Sequence, residues 1–338
     1  MLKRFSRALA ASTLLAGALA GATLSTAQAA ETITFGIIST ESSQNLRSVW
    51  DPFLADMSKQ TGYEVKAFFA PDYAGVIQGM RFDKVDLAWY GNKSAMEAVD
   101  RAGGEIFAQT VAANGSPGYY SHLIVHRDSA LNSVEDVLKN AKSLTFANGD
   151  PNSTSGYLVP GYYVFAKNKV DASQAFKRSL NGSHEVNALS VANKQVDVGT
   201  FNSEGMERLE ITAPDKAAQL KIVWTSPLIP ADPLVWRKNL SDEQKNRLRE
   251  FFMSYGAKPA EKEILAALQW APFRASDNDQ LLPIRQLELF KKRSEVAADS
   301  KLSDSDRQAQ LQGIDQELAK LEQRMAEREQ KNAAAKAS

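Results

Sequence analysis

One phrase occurs twice in this chain and narrows the folds open to it. Lys84-Val85-Asp86-Leu87-Ala88 is echoed by Lys194-Gln195-Val196-Asp197-Val198-Gly199. Each copy reads as a helix end, then Val-Asp, then a buried strand. Before the first copy, 33–38 and 63–69 read as strands. Between them, Leu46, Trp50, Phe53, Leu54 and Met57 fall at helical spacing over 44–60, and Gly62 supplies the stop. Helices over 73–81 and 92–102 flank a third strand at 84–90. The pattern resumes at 119–126, a strand expected to cross between lobes. A short helix at 134–139, strands at 144–147 and 195–200, and helices at 158–166 and 187–192 follow. Further strands at 222–225 and 234–237 precede helices at 241–255 and 261–268, which return to the first lobe. Such alternation argues for α/β lobes with helices on the faces of a parallel or mixed sheet. The echoed phrase argues for two of them.

The N-terminus reads as an export signal. Lys3, Arg4 and Arg7 precede an apolar run over 8–24, broken by Ser12, Thr13, Gly17, Gly21 and Thr23. Ala27-Gln28-Ala29 is a small-x-small cleavage site, so 1–29 is expected to be removed. The run is too short and too rich in small residues to anchor a protein in a bilayer. The chain has no cysteine, which excludes disulfides, thiolate metal sites, a cysteine nucleophile and a lipidated cysteine behind the signal. Lys+Arg and Asp+Glu both number 40, so no basic excess points to nucleic acid. The expected place is the periplasm, free in its compartment.

The segment Asn148-Gly149-Asp150-Pro151-Asn152-Ser153-Thr154-Ser155-Gly156-Tyr157 carries the chemistry. It follows a strand and precedes a helix. The first turn of a helix has unpartnered N–H groups and partial positive charge. Hydroxyls beside such groups hold an anion without lysine or arginine. One hydroxyl would serve as an N-cap; three in a row favour an anion site. G-x-S-x-G, P-loop and H-E-x-x-H signatures are absent. His122 and His126 lie four apart in a strand-like run and read as structural. His184, in a polar loop before a helix, could donate to the same anion or be a bland capping residue. Tyr73 and Tyr119 stand at turns where phenols line clefts. Glu204 and Asp232 stand at strand ends, where ligands bind in α/β sheets, although loop acids are most often simply solvated. Beyond 302, Leu311, Ile314, Leu318, Leu321 and Met325 form a short heptad seam. It reads either as a hairpin with 287–290 or as a homodimer contact through the C-terminal helices.

Together these segments resemble the periplasmic phosphonate-binding proteins of ABC transporters, the PhnD type. The phrases that carry the resemblance are Phe35-Gly36-Ile37-Ile38-Ser39-Thr40-Glu41, Ala70-Pro71-Asp72-Tyr73-Ala74-Gly75, Ala88-Trp89-Tyr90-Gly91-Asn92, the Ser153 segment and Pro227-Leu228-Ile229-Pro230. The resemblance covers nearly all of the chain after the signal. It implies a type II periplasmic binding fold, two α/β lobes joined by two crossing strands. Lobe one would span 30–118 and 233–300, lobe two 119–232, with a helical tail over 301–338. It implies a cleft that closes on a phosphonate and a membrane permease that reads the closed form, with no cofactor, no metal and no catalysis. Ser153, Thr154, Ser155, His184, Tyr73 and Tyr119 would hold the phosphonate group. Glu204 and Asp232 would receive an ammonium, which points to 2-aminoethylphosphonate. Phosphate, phosphite or a sulfonate remains the alternative ligand.

Overall fold

The computed structural model describes residues 30–337; the expected signal segment, 1–29, lies outside the described residues. In chain order the strands are β1 (Thr32–Ile37), β2 (Glu64–Phe69), β3 (Leu87–Trp89), β4 (Gly104–Ala112), β5 (Gly118–Tyr119), β6 (Ser121–His126), β7 (Thr145–Gly149), β8 (Arg178–Gly182), β9 (Val198–Asn202), β10 (Leu220–Thr225), β11 (Ile229–Pro230), β12 (Pro233–Arg237) and β13 (Trp270–Ala275). They form a sheet in the order β13-β4-β12-β3-β1-β2, a second in the order β10-β6-β9-β7-β8, and a two-stranded pair β11-β5. The chain leaves the first sheet through β5 and returns through β11, so that pair is the crossing.

The echoed phrase is a structural repeat. β1 pairs in parallel with β3, and β7 in parallel with β9. In the first sheet Asp86 accepts the Thr34 N–H at 2.7 Å and donates its own N–H to the Thr34 carbonyl at 2.9 Å. In the second, Asp197 accepts the Thr145 N–H at 2.7 Å and donates to the Thr145 carbonyl at 3.1 Å. Each Val-Asp therefore ties the entry of its strand to the strand beside it, while Val85 and Val196 enter the cores below. Aromatic rings fill the first core, where Trp50 and Phe53 meet Trp89, Trp270, Phe251 and Phe273. Phe146, Phe165 and Phe176 fill the second.

The helix Ser43–Thr61 begins at the Ser42 cap and ends on Gly62, whose left-handed backbone (φ 74°) suits glycine. The expected single strand over 119–126 is interrupted at Tyr120, which separates the crossing β5 from β6. Elements outside the expected pattern include β4, β8, the helix Ser203–Thr212 and β13. β8 is an edge strand with exposed residues, so it carries no hydrophobic period. The winding after Ser153 contains π turns at Thr154–Leu158 and Gly161–Phe165, a local widening often found at functional sites.

The helices Leu282–Ala298 and Asp304–Ala337 pack together. Ile314 and Leu318 bury against Val296, flanked by Leu289, Phe290, Leu302 and Leu311. The hairpin takes up Leu311, Ile314 and Leu318 of the heptad seam. Among the described residues no helix is long and apolar enough to cross a membrane.

Candidate functional site

All eight residues singled out from the sequence line one cavity between the two sheets: Tyr73, Tyr119, Ser153, Thr154, Ser155, His184, Glu204 and Asp232. The hydroxyl segment is shaped by its own backbone. After β7 the Asp150 carboxylate accepts the Asn152 N–H at 2.7 Å, and Ser153 N–H donates to the Asp150 carbonyl at 2.8 Å. Ser153 Oγ then caps the winding by accepting the Gly156 N–H at 2.9 Å. A Cβ on Gly149 would stand 2.6 Å from the Gly156 backbone, so this strand end and this helix start approach as only glycine allows.

The three hydroxyls are buried. Thr154 Oγ1 accepts the backbone N–H of Lys93 from the first sheet's side at 2.8 Å, and Ser155 Oγ accepts from Asn202 Nδ2 at 3.2 Å. His184 opens the helix His184–Ala192 rather than lying in a loop. Its Nε2 is 3.3 Å from Ser153 Oγ and 3.4 Å from Ser155 Oγ. Burial pulls its pKa down to about 4, so the ring is neutral at neutral pH. Ser153 and His184 thus sit like a nucleophile and its base. However, His184 Nδ1 is buried without a partner, so the ring lacks the orienting acceptor that such a pair needs.

The acids come from elements near the crossing. Asn202 Oδ1 caps the helix Ser203–Thr212 by accepting the Gly205 N–H at 2.6 Å, which sets Glu204 in the first turn. Asp232 follows β11, and its carbonyl accepts the Thr110 N–H at 2.8 Å. Burial pushes the Asp232 carboxyl well above the usual carboxylate range. The charge of Glu204 adds to this, and Tyr119 and Trp89 beside it offset only part. Glu204 is raised as well, by burial first and Glu207 second, while Arg208 pulls the other way. Asp232 Oδ1 and the indole Nε1 of Trp89 are buried in the cavity wall without hydrogen-bond partners. A buried polar atom without a partner is costly, and here it marks where a ligand's polar group would be received.

Residues that sequence reasoning missed hold the two sides together. Glu185 accepts the Ser42 N–H at 2.7 Å and Asn45 Nδ2 at 2.5 Å. Asp150 accepts the Tyr73 N–H at 3.1 Å. With Thr154 on Lys93, these give three helices of the first sheet, Ser43–Thr61, Tyr73–Arg81 and Asn92–Arg101, a hydrogen-bond acceptor from the second sheet at their N-termini. Arg208 and Glu41 pair across the rim at 3.0 Å.

The comparisons agree with this geometry. A family model described as "ABC transporter, phosphonate, periplasmic substrate-binding protein" matches residues 35–281. The chain belongs to that family. It is 61% identical over 290 residues to the phosphonates-binding periplasmic protein of Escherichia coli strain K12, covering 86% of each chain. A solved binding protein component of an ABC phosphonate transporter from Pseudomonas aeruginosa is 73% identical with a TM-score of 0.88, covering 89% of this chain and 99% of that one. The phosphate-import protein PhnD of Mycolicibacterium smegmatis is 32% identical over 232 residues, covering 66% of this chain and 71% of that one. The fold is the type II periplasmic binding fold. This family member is a phosphonate-binding component of an ABC transporter, and its family is one of substrate-binding proteins rather than enzymes.

Proposed function

We propose that the protein captures 2-aminoethylphosphonate in the cavity between its lobes and presents it to a membrane permease. Ser153, Thr154, Ser155, His184, Tyr73 and Tyr119 hold the phosphonate group, and Glu204 and Asp232 receive the ammonium. The observation that carries this reading is the buried acid pair, with Asp232 Oδ1 unpaired, in the same cavity as the hydroxyls. Neutral donors suit a buried dianion, each charge-assisted hydrogen bond contributing about 1.5–3 kcal/mol. An ammonium relieves the cost of enclosing two carboxyls, which is several kcal/mol per unpaired charge. A ligand without an amine leaves that cost in place, which gives selectivity by penalty.

Lobe one comprises 30–118 and 233–300 and lobe two 119–232, with the tail over 301–338, and closure is a hinge motion at the crossing. Cleavage near Ala29 releases the protein into the periplasm. The relative named for phosphate import favours a second reading, phosphate or phosphite as ligand; a sulfonate is the remaining candidate. Calorimetry on signal-free protein with aminoethylphosphonate, methylphosphonate, phosphate, phosphite and taurine separates them. Glu204→Gln with Asp232→Asn is expected to weaken aminoethylphosphonate by about 100-fold or more, two pairings of this size being lost. Methylphosphonate should change little. Equal losses for both ligands would remove the amine pocket.

A further inference from the structure

We infer that the cradle admits a phosphonate only as its fully ionised dianion, and that Asn202 fixes Ser155 as a donor there. The inference rests on the phosphonate reading above. A hydroxyl has one hydrogen and two lone pairs. In this cradle each hydroxyl already accepts an N–H. Ser153 Oγ accepts from Gly156 at 2.9 Å, Thr154 Oγ1 from Lys93 at 2.8 Å and Ser155 Oγ from Asn202 at 3.2 Å. An incoming donor occupies a lone pair and turns the hydroxyl's own hydrogen away from it. Each is left with its own hydrogen and one lone pair.

The Asn202 amide has one orientation. Its Oδ1 is held by the Gly205 N–H at 2.6 Å, so its NH2 faces Ser155 and stands 3.4 Å from His184 Nε2. His184 follows the same rule. A buried N–H without an acceptor costs more than a buried lone pair. Nδ1 has no partner, so the proton belongs on Nε2, facing the hydroxyls. That hydrogen takes up the second lone pair of Ser153 at 3.3 Å and of Ser155 at 3.4 Å, so these two hydroxyls can only donate.

The other titratable groups around the cavity do not restore an acceptor. Tyr73 and Tyr119 bring phenol hydrogens, and burial raises both above the usual phenol range. The Asp150 carboxylate is taken by the Tyr73 and Asn152 N–H groups. Lys93 turns its ammonium to Glu97 and Glu288, and Arg208 pairs with Glu41. Glu185 is taken by Ser42 and Asn45. Glu204 and Asp232 receive the far end of the ligand. A singly protonated phosphonate would carry its own O–H into this cradle. It would meet hydrogens there, and the mismatch would cost a hydrogen bond and a charge together.

The test compares methylphosphonate with a fluorinated methylphosphonate, whose second ionisation lies at lower pH. Groups on the protein affect both ligands alike, so the ratio of their dissociation constants isolates the ligand's own proton. The expected ratio shifts by about tenfold per pH unit between the two ionisations and is flat outside them. A ratio constant across the whole range overturns the inference, whereas failure of 2-aminoethylphosphonate, titrated alongside, to bind at any pH sinks the phosphonate reading itself. Asn202→Asp tests the second half, because aspartate caps a helix as well as asparagine does. Its unfolding midpoint without ligand should match the parent below about pH 5, where the buried carboxyl is protonated and isosteric with the amide. Its affinity at pH 8 should fall about 100-fold, with the deficit shrinking as pH is lowered. Parent affinity in this variant would make Asn202 a helix cap and nothing more.

Discussion

Asp232 and Glu204 hold protons more tightly in the folded chain than free carboxylates do, because burial disfavours their charge. A raised folded pKa means that the native state binds more protons than the unfolded state above the ordinary carboxylate range. Their contribution therefore falls as pH rises. His184 acts in the opposite sense. Its depressed pKa, about 4 against an ordinary 6.5, makes stability rise with pH between those values and adds nothing above them. Urea titrations without ligand above pH 6.5 should thus show stability declining with pH, and Glu204→Gln with Asp232→Asn should flatten the decline. An unchanged slope in that variant would mean that the acids are not responsible. The eight residues that line the cavity could be singled out because each sits in a short phrase at a strand end or a turn. Asn202, one residue inside such a phrase, was not. As an N-cap type beside Glu204 it carried no sign that its amide also reaches Ser155, a contact made across 47 positions of sequence.

At the scale of elements, local signals were readable and long-range ones were not. Ser42 and Gly62 mark the ends of their helix within a few residues, and the echoed Val-Asp marks two equivalent strands. β4 and β13 depend on neighbours far along the chain, and the exposed edge β8 has no apolar alternation to read. The acceptors that reach the first sheet's helices from the second are of the same long-range kind. Glu185→Ala removes the acceptor of the Ser42 N–H and of Asn45 without touching the cavity's hydroxyls or acids. The loss of one capping acceptor is about 0.5–2 kcal/mol, so affinity should drop about twofold to thirtyfold. The drop should be equal for aminoethylphosphonate and methylphosphonate and seated in the dissociation rate. Stopped-flow release measurements check it, and a change in ligand preference instead would place Glu185 in ligand recognition.

For the whole molecule, the two-stranded pair β11-β5 is the crossing between the two larger sheets. A Cβ on Gly118 would stand 1.8 Å from the Ile229 carbonyl oxygen, so β5 and β11 pair only because residue 118 has no side chain. Gly118→Ala should force that pair apart and lower unfolding free energy by about 1–3 kcal/mol, the range for overpacked sites, as read by denaturant titration. Full stability in that variant would show that the crossing tolerates a shift. Across the rim, Glu41 and Arg208 are brought to 3.0 Å by segments from opposite sides of this crossing. The chain contains no cysteine. A thiol introduced at either rim position would accordingly be unique in the molecule, and a solvent-sensitive dye attached there would turn the protein into an optical gauge of its own cargo.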